Sequence, residues 1–180
     1  MAKPDNHAAI IAAAEDMVRE GGYNNFSFRT IADKVGIKSA SVHYHFPTKE
    51  DLGVAVAEHY TDRFLEALGD PAELAASGNN PIAAYVAAFR SALEQDKKMC
   101  LCGLLGAEIK GLPDGVVEAT RAFFQKNVAW LTTALETVGT SSDPVADAFQ
   151  TVALLEGALI TANVLDDISA FDKAVSRLAA

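Results

Sequence analysis

Between Ser27 and Pro47 the chain reads SFRTIADKVGIKSASVHYHFP, and this stretch limits the possible fold more than any other. Ser27 is a good helix N-cap, and Phe28, Ile31, Ala32 and Val35 follow at the spacing of one helical face. Gly36 breaks that helix, and the residues from Lys38 to Tyr44 leave room for only about two further turns before Pro47. Two short helices joined by a turn of about three residues that includes a glycine make a helix-turn-helix, in which the second helix enters the DNA major groove. Ile31, Val35, Ile37, Val42 and Phe46 account for the packing. Lys38, Ser39, Ser41, His43 and Tyr44 then point outward and are left for another task.

The rest of the chain predicts helix throughout, so the expected fold class is all-α. Pro4 suits the first turn of a helix that turns Ile10, Ala13, Ala14, Met17 and Val18 inward and ends at Gly21 and Gly22. Thr48 caps another helix, with Asp51 closing the cap, and that helix runs to Leu68 before the sequence GDP. A polar loop from Ala75 to Pro81 precedes helices over about 82–95, 101–109, 113–138, 145–165 and 169–178. No repeat and no strand pattern is found. Residues 1–52 are expected to form a small N-terminal domain and 53–180 a larger C-terminal one.

The helix over 145–165 is apolar nearly all round. Ala148, Thr151, Leu155, Ala158 and Ala162 form one ridge of mostly small residues, and Phe149, Val152 and Leu159 form another. A helix buried on two sides in a small protein faces a partner as well as its own core. With the final helix it predicts a four-helix interface across a two-fold axis, and an acid at Ala158 is expected to dissociate or unfold the protein.

Composition excludes several classes. Half of the 180 residues are hydrophobic, which rules out a disordered chain and suffices for a real core. No run offers the roughly 20 uninterrupted apolar residues of a membrane span, and the N-terminus lacks a signal-peptide pattern. Two cysteines close together do not make a secreted disulfide framework. A soluble, cytoplasmic protein is expected. The formal charge of −9 is unevenly placed: residues 1–52 carry −1 and residues 53–180 carry −8, while Ser27–Lys49 carries +3. The field of the docking face decides whether nucleic acid binds, so the acidic total does not exclude it.

Residues 22–52, GYNNFSFRTIADKVGIKSASVHYHFPTKEDL, followed by an all-helical remainder of matching length, resemble the TetR family of bacterial transcriptional repressors. The resemblance implies a DNA-binding N-terminal domain and a C-terminal domain that binds a small molecule and forms a homodimer. It places Tyr44, His45 and Lys49 at phosphates, and Lys38, Ser39, Ser41, Val42 and His43 at base edges and backbone. Ser27, Arg29 and Thr30 fall where the preceding helix touches DNA. Lysine and hydroxyl groups are phosphate donors on their own chemistry. Lys38, Ala40 and His43 replace the commoner Ser, Gly and Tyr, so the operator is this chain's own. The implied partners are palindromic double-stranded operator DNA, a small-molecule inducer and a second copy of the chain.

Metal and cofactor chemistry find little support. His43 and His45 project about 200° apart on a helix and do not converge on one metal. The sequence GLLG lacks the lysine and spacing of a phosphate loop, and no cofactor is expected. Cys100 and Cys102 precede a helix and follow Lys97 and Lys98, a setting that favours thiolate and suggests redox or electrophile sensing. The competing reading is two small buried apolar residues. An enzyme with a cysteine nucleophile is a further alternative, but no nucleophile elbow appears. Phe123, Asn127 and Trp130 share a helix face, with an amide between two aromatics; core packing is the expected role of the aromatics, and Asn127 is the better pocket candidate. Glu108 and Glu156 are carboxylates in otherwise apolar helical stretches and join the candidates.

Overall fold

A computed structural model describes residues 6–96 and 98–178, the side chains of Gln95 and Asp96 excepted. Pro4, expected in the first turn of the first helix, and Lys97, expected beside the cysteines, lie outside the described residues. Within them every regular element is helical and no strand occurs. The chain divides into two compact units, residues 1–62 with 101–123, and residues 63–100 with 124–180.

The first unit begins with α1 (Asn6–Gly21), which buries Ile10, Ala14 and Val18. A 3₁₀ turn (Tyr23–Asn25) leads to α2 (Phe28–Val35), α3 (Ser39–His45) and the start of α4 (Lys49–Leu68). Ser27 and Thr30 form a reciprocal capping box: the Ser27 hydroxyl accepts the Thr30 amide at 3.2 Å, and the Thr30 hydroxyl accepts the Ser27 amide at 2.9 Å. Such a cap contributes about 1 kcal/mol. Gly36 ends α2 in the left-handed region (φ 76°), which a residue with a Cβ enters only at a cost, and its amide donates to the Ala32 carbonyl. Thr48 and Asp51 cap α4 as expected, the Thr48 amide donating to the Asp51 carboxylate at 2.9 Å.

Helix α7 (Leu101–Ala107), a 3₁₀ turn (Ile109–Gly111) and the start of α8 (Asp114–Val138) complete this unit, and two carboxylates fasten them to it. Glu108 accepts the backbone N–H of Tyr23 at 2.9 Å, and Glu50 on α4 accepts that of Gly115 at 2.8 Å. Gly53 permits the close approach, since a Cβ there would lie 2.7 Å from the Tyr23 ring and 2.9 Å from the Val116 side chain.

The second unit holds the end of α4, then α5 (Pro71–Ala76), α6 (Pro81–Asp96), the rest of α8, α9 (Pro144–Leu165) and α10 (Ile168–Val175). Helix α5 was not expected. The GDP sequence that stops α4 also starts it: Asp70 accepts the amides of Ala72 and Glu73, and Pro71 occupies the first turn. Helix α9 packs on α10 and α6, and Arg90 of α6 donates to Asp172 of α10 at 2.7 Å.

The two ridges of α9 need correcting. Ala148, Thr151, Leu155, Ala158 and Ala162 are buried within the protomer, and so are Val152 and Leu159. An acid at Ala158, which is 2 % exposed, would therefore disrupt the protomer's own core. Phe149 of the second expected ridge is exposed and shares the uncovered apolar face of α9 with Val145, Ile160 and Val164. The helix is long and apolar enough to cross a bilayer by composition, yet one side of it is packed in this bundle.

Candidate functional site

Helix α3 has two unlike sides. Val42 is fully buried and Phe46 nearly so, which fixes the short helix against the core. Val42 is thereby withdrawn from the expected contact set: its side chain positions the helix and presents nothing to solvent. Across the helix Tyr44 is 84 % exposed, and Lys38, Ser39 and His43 are exposed too. Ser41 is half-buried at the edge of this face, and Arg29 and Thr30 on α2 are exposed. Helix α3, with the sequence SASVHYH, carries no acidic residue.

Rings steady the exposed groups. The His43 imidazole stands edge-on to Phe28 with centroids 4.5 Å apart. His45 is half-buried, 5.3 Å from the Tyr44 ring and 5.8 Å from His7 of α1, which stacks on Phe46 at 4.9 Å. His7 escaped the sequence reading because it lies 38 positions away from His45, and no local spacing links them. Lys49 sits over two aromatic faces, its amine 4.7 Å from the Tyr23 centroid and 4.6 Å from that of Phe26. Burial there lowers the Lys49 pKa. The same pocket raises the Tyr23 hydroxyl to about 12, through burial first and the Glu50 charge second. Lys34 of α2 pairs with Asp16 of α1.

The expected ligand residues fall into two groups. Cys102, Glu108 and Phe123 belong to the first unit. Cys102 and Phe123 are buried there, Phe123 with its ring 5.9 Å from Tyr60, and Glu108 is engaged with Tyr23. Cys100, Asn127, Trp130 and Glu156 belong to the second unit, where Tyr85 joins them. Tyr85 is fully buried, and its hydroxyl donates to the Asn127 side-chain oxygen at 2.7 Å. Its ring lies 5.4 Å from Trp130, 5.3 Å from Phe89 and 5.7 Å from Phe64. Sequence reasoning missed Tyr85. Its one available signal was a tyrosine within an Ala-rich helix, whose hydroxyl must find a partner once buried. Trp130 donates its indole N–H to the Gly69 carbonyl at 2.8 Å.

Glu156 is the unusual member. Neither carboxylate oxygen is exposed by as much as 1 Å² and neither has a hydrogen-bond partner at good geometry. Burial raises its pKa from 4.5 to about 7, with the Cys100 thiol offsetting part of the rise. Burial first, then Cys100 and Glu156, push the Tyr85 hydroxyl well above its ordinary value. A carboxyl whose pKa is higher in the folded state weakens the fold as pH rises, from no penalty below about 4.5 to the full penalty above about 7. Glu156→Gln is expected to remove this slope, gaining about 3 kcal/mol relative to the parent between pH 4.5 and pH 8. Urea unfolding at both pH values measures it, and parallel stability curves would refute the assignment.

Comparisons with known proteins bear on both sites. A family profile described as bacterial regulatory proteins, tetR family, matches residues 10–56. The crystal structure of a TetR transcriptional regulator from Legionella pneumophila is 33 % identical, covers 99 % of this chain and 97 % of its own, and superposes with a TM-score of 0.89. The transcriptional regulator AcuR of Cereibacter sphaeroides is 28 % identical over 161 residues, 79 % of this chain and 70 % of AcuR. The fatty acid metabolism regulator protein of Bacillus subtilis is 22 % identical over 99 residues, 55 % of this chain and only 51 % of that relative.

Proposed function

The chain belongs to the TetR family of transcriptional regulators, and from that premise we propose that it is a homodimeric repressor that binds a palindromic operator and is released by a small-molecule inducer. It is a DNA-binding regulator and not an enzyme. In this reading residues 1–52 read DNA, residues 53–180 bind the ligand and form the dimer, and the protein acts in the cytoplasm. The observation that carries it is the face of α3: Tyr44 is 84 % exposed beside exposed Lys38, Ser39 and His43, while Val42 beneath is fully buried. A large aromatic held in solvent has no packing role, whereas DNA supplies phosphates and base edges for all four side chains.

Lys49 and Tyr44 are assigned to phosphates, with His45, and Lys38 and His43 to bases; Ser39, Ser41, Ser27, Arg29 and Thr30 support them along the backbone. Lys49→Ala is expected to weaken binding to every sequence and flatten the logarithmic salt dependence by about one unit. Lys38→Ala should instead change which bases are preferred. Operator titrations from 50 to 200 mM salt measure both, with a thermal melt to show that loss of the Lys49 amine from the Tyr23 and Phe26 rings leaves the fold intact. Unchanged affinity of Lys49→Ala would place the phosphate contact elsewhere.

The inducer site is assigned to Cys100, Asn127, Trp130 and Glu156 around Tyr85. Cys102, Glu108 and Phe123 are not kept in it, because each is committed to packing or to the Tyr23 amide in the first unit. Electrophile sensing is disfavoured by the burial of both thiols, at 2 % and 0 % exposure, since buried structural cysteines are unreactive. Coupling between ligand and operator runs through α4 and α8, the helices that contribute residues to both units. A coupling of about 1–3 kcal/mol weakens operator binding some 5- to 150-fold, and reciprocity demands that operator weaken inducer binding by the same factor. Equal ligand affinities with and without operator would show that the bound compound is not the inducer.

A further inference from the structure

The ligand site assigned above carries an unmet electrostatic demand that specifies its occupant. Both Glu156 carboxylate oxygens are buried in the second unit with no hydrogen bond at good geometry, and among the described residues the Cys100 thiol is the side chain that acts on them, with no cation beside it. A buried charge of this kind is strongly unfavourable unless a counter-charge or hydrogen-bond donors reach it. The neighbouring groups are a thiol, Cys100, and the hydroxyl of Tyr85, which is already turned toward Asn127. Neither supplies a charge.

The aromatic cluster around Tyr85, whose hydroxyl feels the Glu156 charge, suits an organic cation. Tyr85 presents a ring flanked by Phe64, Phe89 and Trp130, and aromatic faces attract ammonium and related groups. A surface cleft of about 400 Å³ lies in the same unit, lined by Glu94, Asn163, Asp166 and Asp167, and that volume falls in the range of small-molecule sites. Arg90 pairs with Glu94 near this cleft, and the balance of charge there is still negative, which concentrates cations at its mouth. Asn163 follows Glu156 by seven residues and so lies on the same side of α9. Its amide is 3.3 Å from the Met99 sulfur, and Met99 is the residue before Cys100.

We propose that Glu156 is the anchor of a site for a small aromatic or alkyl ammonium ion, which enters from the Glu94–Asp167 cleft past Asn163 and Met99 and neutralises the carboxylate beside Tyr85. Met99 is unbranched and flexible, and it can re-pack to admit a ligand stem without a backbone change. The identity of the ligand class rests on the inducer-site assignment, but its charge does not depend on whether the bound compound also releases DNA.

The test uses three probes of one size on the full-length protein: phenethylammonium, neutral 2-phenylethanol and anionic phenylacetate. Thermal shift and calorimetric titration should show phenethylammonium binding at least tenfold more tightly than the other two. Glu156→Gln, which keeps the shape and removes the charge, should lose that preference while remaining folded. Asn163→Leu, which closes the route without touching the carboxylate, should slow association of the cation. Three results would overturn the proposal: no binding of the cation up to millimolar concentration, equal binding of the neutral probe, or an unchanged cation affinity in Glu156→Gln, which would leave only the acidic cleft. Operator binding, followed in parallel, separates the two readings, because a cation that binds through Glu156 without releasing DNA refutes the inducer assignment and not the cation site.

Discussion

Gly22→Ala is expected to lower the unfolding free energy by about 3–5 kcal/mol. Gly22 has φ 82° and ψ −179°, a backbone region open to glycine and costing other residues about 1–3 kcal/mol. A Cβ there would also lie 1.9 Å from one oxygen of Glu108 and 2.7 Å from its carboxyl carbon. The carboxylate must then move, and the Tyr23 amide that donates to it at 2.9 Å loses a charged acceptor, a loss of about 1.5–3 kcal/mol. Denaturant titration measures the sum. The double variant Gly22→Ala with Glu108→Ala separates the parts: it relieves the collision but keeps the backbone strain and the orphaned amide. A Gly22→Ala protein as stable as its parent would show that Glu108 does not dock at this loop.

Ile160→Asp is expected to dissociate the proposed homodimer and leave the protomer folded. Ile160 is 52 % exposed on the uncovered side of α9, near Phe149 at 61 % and Val164 at 79 %. Gly157 between them has open space where a Cβ would stand, so a partner helix can approach closely there. In a two-fold interface the substitution enters twice, and each buried, unpaired carboxylate costs at least about 2 kcal/mol. The dimer dissociation constant should rise roughly a thousandfold. Palindrome binding should weaken with it, because the second half-site contact is no longer intramolecular. Sedimentation equilibrium reports the assembly and circular dichroism the fold. A dimeric Ile160→Asp protein would move the interface away from this face. Ala158→Asp does not serve as the test, since at 2 % exposure it would unfold the protomer first.

These two outcomes mark where sequence reasoning reached and where it stopped. Caps, glycine breaks and helical spacing are local, and they placed α2, α3, α4, α8 and α9 to within a residue or so of their observed ends. The outward face of α3 was legible for the same reason. Which side of α9 meets the protomer was not, because a helix apolar all round carries no periodic signal to orient it. Glu108 looked like a pocket residue since its acceptor role depends on Tyr23, 85 positions earlier. Glu156 was legible as an oddity, a carboxylate in an apolar run, but its burial beside the Cys100 thiol and Tyr85 depends on residues far from it in sequence. The start of α5 was readable from Asp70 and Pro71 and was passed over, because the same residues served as a stop signal.

The interleaving of the first unit, residues 1–62 with 101–123, has a consequence for how the protein is made. A ribosome adding about 5–20 residues per second delivers residue 123 roughly 3–12 s after residue 62. For most of that interval the Tyr23 amide, the Glu50 carboxylate and the flat spot at Gly53 lack their partners, until Glu108, Gly115 and Val116 are synthesised. The DNA-reading helices are thus encoded first and completed late. The unit that carries the recognition helix is therefore complete only once the chain has passed residue 123.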